Sequence, residues 1–320
     1  MTLLHERHAA TAAPRPRTRA GLFVVACSLG LALLLLAHSW LPDIAGLGLI
    51  IDSGLIWLGA LIPLLAGAAL AVRQKRAAAA VLVPAVVWSL LFVPGMIPLE
   101  WTAPAASGHS VTVASQNLRA QAGTAAESAG ALAASGAQVV ALQEIDGASR
   151  NSVGAVLDPA YQYSYRIGTV GLWSIYPISN AQPQDLGLGW NRALSADLET
   201  PAGLVRIYVV HAASARPSQH AERDTMLAAL AEIVAADTSE RIIAVGDFNA
   251  ATTDRNFAPL TQLLSEPDID GGLAGFTWPV SPFPVARLDH LLQRGMAATS
   301  NEVFQAGASD HLAIRTTLNL

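Results

Sequence analysis

The sequence predicts an α/β domain preceded by three membrane-spanning helices. Three observations predict this class. Only 13% of the 320 residues are charged while 52% are apolar, three long uncharged runs fall within the first hundred residues, and the remainder alternates strand-like with helix-like stretches. The charged fraction is about half that of an ordinary soluble protein. Disorder is excluded by the apolar content, and a disulfide scaffold by Cys27 being the single cysteine.

The N-terminal part opens with a basic leader, residues 1–20, carrying Arg7, Arg15, Arg17 and Arg19. The apolar runs at 21–41, 55–72 and 78–99 each approach the roughly 20 residues a helix needs to cross hydrocarbon. A cleavable signal peptide is the competing reading of the first run, and the long basic leader and two further runs argue against it. Arg73, Lys75 and Arg76 lie between the second and third runs, whereas the first connection holds Asp43 and Asp52 and no basic residue. The positive-inside rule then places the leader in the cytoplasm and everything after the third span outside. A linker at 100–110, rich in Ala, Ser and Pro, spans at most about 35–40 Å, so the domain at 111–320 works close to the membrane.

From Trp101 onward the chain has twelve arginines, no lysine and twenty acidic residues, a net charge of −8. Duplex binding rests on Lys and Arg neutralising phosphates, and this balance argues against nucleic acid as the partner. Strands are expected at 111–114 and 138–142 with a helix at 124–135 between them, one βαβ-like unit. A second such unit is expected from strands at 204–210 and 241–245 around a helix at 219–236 capped by Ser218. Shorter strands are expected at 172–174, 193–198, 288–292 and 312–317. Tyr161, Tyr163 and Tyr165 alternate as strand packing does, Asp185–Gly189 reads as a glycine turn, and His220 and Arg223 read as a solvated helix face.

Four of the apolar strands run into residues that can ligate or catalyse: VTVASQN ends at Asn117, QVVALQE at Glu144, LVRIYVVH at His211, and RIIAVGDFN at Asp247 and Asn249. ARLDH and ASDH add Asp289, Asp310 and His311. Strand ends collect active sites in α/β folds. Carboxylate and amide oxygens suit a hard cation, and imidazoles beside them suit proton transfer or charge stabilisation. Singly, GDFN could be a capped turn, Glu144 a solvated strand end and His211 a satisfied core histidine; the ordered series outweighs those readings.

The series SQN, LQE, SxYPI, VVH, GDFN, RLDH and SDH resembles the endonuclease/exonuclease/phosphatase superfamily over about 111–320. That resemblance implies a two-sheet, four-layer α/β sandwich cleaving phosphate esters with Mg2+ or Mn2+. It implies that Glu144, Asn117 and Asp310 serve the metal, that Asp247 activates water and that Asn249 holds a phosphate oxygen. His311, oriented by Asp289, would face the phosphate, and His211 would stabilise charge or act as general acid. Two positions depart from the pattern: Ile175 replaces an arginine often found in SxYPI, and Arg119 stands where many nucleases carry an acid. Arg119 could hold a second phosphate.

The architecture also resembles membrane-anchored actinobacterial members linked to teicoplanin resistance. This implies a multi-pass membrane protein whose outer-face catalytic domain acts on a lipid-linked phosphate such as undecaprenyl pyrophosphate, with no obligate protein partner. The alternatives are a tethered nuclease or sphingomyelinase-like phosphodiesterase sharing the same residues, and a non-catalytic binding protein. A flap at 181–192 is expected to influence specificity.

Overall fold

The computed structural model describes residues 16–106, 108–272 and 274–320; Arg7 and Arg15 of the basic leader lie outside the described residues. The chain divides into two compact units, residues 1–38 with 55–92 and residues 39–54 with 93–320.

The first unit contains helices α1 (Pro16–Ala37), α3 (Leu61–Val72) and α4 (Lys75–Phe92), the last two preceded in sequence by α2 (Leu47–Gly54) of the other unit. Val24, Ala69, Ala77 and Val81 are buried together, while Phe23, Leu33, Leu64, Leu70 and Leu90 face outward. Large apolar side chains facing outward is the arrangement expected where lipid is the solvent. Three segments are long and apolar enough to cross a membrane: Arg19–Trp40, Leu47–Val72 and Lys75–Phe92. Arg73 ends α3 in a left-handed conformation, its N–H reaching back to the carbonyls of Ala69 and Leu70. The third apolar run, expected at 78–99, starts earlier and leaves the α-helix at Phe92, because Pro94 opens a separate 3-10 turn, Pro94–Met96.

The second unit is built on two sheets. Their strands are β1 (Ser110–Asn117), β2 (Val139–Gln143), β3 (Tyr163–Ile167), β4 (Val170–Ser174), β5 (Ile178–Pro183), β6 (Ala193–Thr200), β7 (Gly203–His211), β8 (Ile242–Asp247), β9 (Asp289–Arg294), β10 (Ala297–Phe304) and β11 (Ala313–Asn319). One sheet runs β10-β11-β1-β2-β4-β3 and the other β5-β6-β7-β8-β9. Each has one parallel pair. β1 and β2 are joined through α6 (Ala125–Ala134), and β7 and β8 through α8 (Ala221–Ala236); these are the two expected βαβ units. Helix α8 starts two residues later than expected, with His220 rather than Ser218 at its N-cap and no side-chain capping bond.

The layers follow from which side chains each strand buries. Val113, Val139, Ala141 and Leu172 of one sheet meet Leu194, Ile207, Ile243 and Val245 of the other in an inter-sheet core. The opposite face of the first sheet packs Ala114, Val140 and Trp173 against α6 and α7 (Ser149–Leu157). The opposite face of the second packs Tyr208, Val210 and Ala244 against α8 and α9 (Ala258–Leu263). The result is helices, sheet, sheet, helices. Strands β5 and β10 and helix α7 were not expected from sequence.

The expected linker is not free chain at its start. Helix α5 (Leu99–Thr102) buries Leu99 in the inter-sheet core, Leu99 donates its N–H to the Ile269 carbonyl at 3.3 Å, and the Glu100 carboxylate accepts from the Gly271 amide at 3.0 Å.

Candidate active site

Register brings the functional residues together. Asn117 pairs with Gln143, so Glu144 follows directly beside it, and His211 pairs with Asp247. The two parallel pairs thus present their C-terminal ends, one from each sheet, and Asn117 joins them: its Nδ2 donates to Glu144 Oε1 and to Asp247 Oδ2, both at 3.0 Å. Gly246 in GDFN has φ 140°, and a Cβ there would stand 2.0 Å from the Val210 carbonyl oxygen; only glycine lets β8 close this tightly on β7. Glu144 and Asn249 hold positive φ of 58° and 48°, the kind of backbone strain that collects at functional positions.

Asp247 is 1% exposed. It accepts from the Asn249 backbone N–H at 2.9 Å and from Asn249 Nδ2 at 3.1 Å. Burial pushes its carboxyl up to about 6, with Asp289 adding to the rise while His311, Asn117 and Asn249 oppose it. Asp289 is wholly buried; its Oδ2 meets His311 Nδ1 at 2.8 Å, while its Oδ1 has no hydrogen-bond partner among the described residues. Burial alone would lower the His311 pKa, but Asp289, Asp247 and Asp310 outweigh it and push it up to about 10. His311 is therefore an imidazolium at neutral pH.

His211 is the opposite case. Burial, then the Arg192 and His311 cations, hold it well below its ordinary value, so it is neutral. Arg192 Nη2 lies 2.5 Å from His211 Nε2, which therefore accepts, leaving the ring proton on Nδ1 facing Thr169 Oγ1 at 3.5 Å. Arg192 also donates through Nε to the His211 carbonyl at 2.9 Å. His211 Nε2 also lies 3.6 Å from Glu144 Oε1, and the cation on this side is Arg192.

Several other expectations are refined. Asn117 Oδ1 accepts from the Arg119 amide at 2.9 Å, while its Nδ2 holds Glu144 Oε1 at 3.0 Å. Asn249 Nδ2 divides its protons between Asp247 and the Ala212 carbonyl at 3.1 Å, which makes it a brace for Asp247. Asp310 stands at the rim, its side chain 40% exposed and 4.0 Å from Arg119 Nε. Arg119 lines a cavity of 220 Å3 with Glu144, Asp146 and Ser149. Ile175 lies at the far end of its sheet, where its N–H bonds the carbonyl of Gln138 at the start of β2. Its identity therefore has no bearing on the site. Arg223, expected on a solvated face, is 1% exposed and ion-paired with Asp254 at 2.6 Å.

The donor chemistry fits a hard divalent cation. Glu144 is a partly exposed carboxylate braced by Asn117 and by the Ala120 amide at 2.7 Å, and Asp289 leaves one buried carboxylate oxygen without a hydrogen-bond partner among the described residues. Asp247, Asp289 and His311 also offer ligand atoms within 4.8 Å of one another. Glu144 and this trio are the two sets of oxygen and nitrogen donors available to a cation.

Sequence reasoning missed Arg192, at the base of the expected flap, and two indoles. The Arg192 guanidinium lies 4.9 Å from the centroid of the Trp190 ring, and the Trp278 ring is 6.5 Å from that of His311. The available signal was WNRAL, a tryptophan and an arginine immediately before an apolar strand.

The family model for the endonuclease/exonuclease/phosphatase family matches residues 114–311, from β1 to His311 and more than half the chain. Among solved structures, an endonuclease/exonuclease/phosphatase from Bacteroides vulgatus superposes with a TM-score of 0.56 at 14% identity, covering 66% of this chain and 99% of its own. Truncated TDP2 from Caenorhabditis elegans gives 0.55 at 16%, with 68% and 100% covered. A beta toxin from Staphylococcus aureus gives 0.51 at 15%, with 64% and 99% covered. No curated protein matches the sequence significantly. With the family pattern spanning all its site residues from Asn117 to His311, the chain belongs to the endonuclease/exonuclease/phosphatase family, whose members hydrolyse phosphoester bonds.

Proposed function

We propose that the protein is a divalent-metal-dependent phosphatase or pyrophosphatase acting on a lipid-linked phosphate, such as undecaprenyl pyrophosphate, at the outer face of the membrane. The carrying observation is an exposed indole beside each cation of the site: Trp190 is 50% exposed beside Arg192, and Trp278 is 38% exposed beside His311. Exposed indoles next to phosphate-binding cations suit a substrate whose phosphate continues into hydrocarbon. Three helices able to cross a membrane precede the domain, and its net charge of −8 without lysine disfavours a polyanionic strand.

Glu144, oriented by Asn117, would hold Mg2+ or Mn2+, which supplies Lewis-acid polarisation of the phosphoryl oxygens. Asp247, braced by Asn117 and Asn249, takes the proton of the attacking water as the phosphorus–oxygen bond to the leaving phosphate breaks. His311 on one side and Arg192 on the other balance the charge gathering on the phosphoryl oxygens.

The test is phosphate release from undecaprenyl pyrophosphate by the detergent-purified full-length protein, with and without Mg2+, alongside nicking of supercoiled DNA. Metal-dependent release that is lost in Asp247→Ala is expected. Nicking without phosphate release would overturn the lipid reading in favour of the tethered nuclease, and neither activity would favour a binding role.

A further inference from the structure

Residues 39–54 join the first segment long and apolar enough to cross a membrane to the second and include the start of the second, yet they fold as part of the catalytic unit. Two acids make the connection. Asp52 on α2 is 1% exposed, and both its carboxylate oxygens engage Arg255: Oδ2 accepts from Nε at 2.6 Å and from the backbone N–H at 3.2 Å, and Oδ1 from Nη2 at 3.0 Å. Thr253 Oγ1 donates to the Asp52 carbonyl at 2.6 Å, and Arg255 Nη1 to that of Leu41 at 2.5 Å. Asp43 Oδ2 meets His220 Nε2 at 2.9 Å, while Asp43 Oδ1 accepts from the Gly48 amide at 2.8 Å, at the start of α2. Gly46, at φ 81°, sits so close that a Cβ would stand 2.5 Å from the Pro217 Cα.

The same contacts lead to the active site. Asp254, next to Arg255, pairs with Arg223, and both are 1% exposed. Arg223 Nη1 also donates to the carbonyl of Asn249 at 3.1 Å, and Asn249 holds both oxygens of Asp247 through its amide groups. The loop from Asp247 to Arg255 is thus fixed by the catalytic carboxylate at one end and by Asp52 at the other. A buried acid within an apolar stretch is destabilising unless paired, and the bidentate geometry with Arg255 is the strong form of that pairing.

We infer that Asp52 is a positioning residue for the reaction: through Arg255, Asp254 and Arg223 it sets Asn249 and Asp247. Residues 39–54 are accordingly a working part of the catalytic unit, which the chain joins to the other unit at three points, 38/39, 54/55 and 92/93. The inference rests on the placement of Asp247 and Asn249 in the site and is independent of the substrate.

The experiment uses the full-length protein in detergent micelles and the single variants Asp52→Asn and Arg255→Gln, their double, and Asp52→Glu. Turnover is followed on whichever of undecaprenyl pyrophosphate or supercoiled DNA the wild type cleaves, and hydrogen exchange is followed over 247–256. Each single variant is expected to lower kcat about tenfold, equivalent to about 1.4 kcal/mol, with KM within twofold and faster exchange in that segment. The double should be no worse than either single, because the pair is already broken, and Asp52→Glu should recover part of the loss. Unchanged kcat and exchange, multiplying effects in the double, or a loss matching only the loss of folded protein would overturn the inference. If Asp52→Asn does not accumulate, Arg255→Gln carries the same expectation, and exchange reads the loop even where turnover is undetectable.

Discussion

The two histidines of the site are alike in burial and opposite in protonation. On one side His311 faces Asp289 at 2.8 Å and is an imidazolium; on the other His211 faces Arg192 at 2.5 Å and is neutral. Both rings are buried, and burial alone lowers both. The neighbour decides: a wholly buried carboxylate reverses the effect of burial, and a guanidinium reinforces it. Each side carries one cation, the ring itself in one case and the ring's partner in the other.

Substitution should separate the two rings most strongly. His311→Gln removes a cation from the reaction centre and is expected to lower kcat about 10²–10³-fold, the range seen when a transition-state donor is lost. Arg192→Ala should come close to it, whereas His211→Gln, which leaves Arg192 in place, should lose no more than about tenfold in kcat, all read from steady-state kinetics with the metal present. Equal losses for the two histidines would break the comparison.

The pH profile of kcat/KM sharpens it. Asp247 must be ionised to accept a proton, and its carboxyl sits at about 6, so activity should rise through that pH or lower, since a bound cation can only favour the carboxylate. His311 must be protonated, so activity should fall near pH 10. In Asp289→Asn the descending limb should move to lower pH, because the main group raising His311 is gone.

Stability gives the smallest effect. A histidine raised from 6.5 to about 10 binds its proton more tightly in the folded state. Its contribution is complete below pH 6.5 and is lost as pH rises toward 10. The thermal midpoint should therefore decline over that window in the wild type and decline less in Asp289→Asn. Asp247→Asn should be more stable than the wild type above pH 6, since a buried carboxylate there opposes folding, while having no activity.

Much of this site was legible because its residues terminate apolar strands. VTVASQN, QVVALQE, VVH and GDFN carry both the strand and the side chain at its end, and although each alone has a bland reading, their order along the chain does not. The two βαβ units were legible for the same reason. Arg192, Arg223 and Asp52 were not, because their meaning lies in contacts distant in sequence. Arg223 sits in a helix whose polar residues look solvated, and its partner Asp254 is 31 positions away. Asp52 reads as a loop charge, and its partner Arg255 is 203 positions away. The protonation difference between the histidines was equally hidden, since VVH and SDH name the rings but not the groups facing them.

The most direct measurement is nitrogen NMR of the histidine rings in the purified full-length protein at pH 8, assigned with His211→Gln and His311→Gln. The account predicts that His311 is protonated on both ring nitrogens and that His211 carries a single proton, on Nδ1. A neutral His311 or a charged His211 would contradict it.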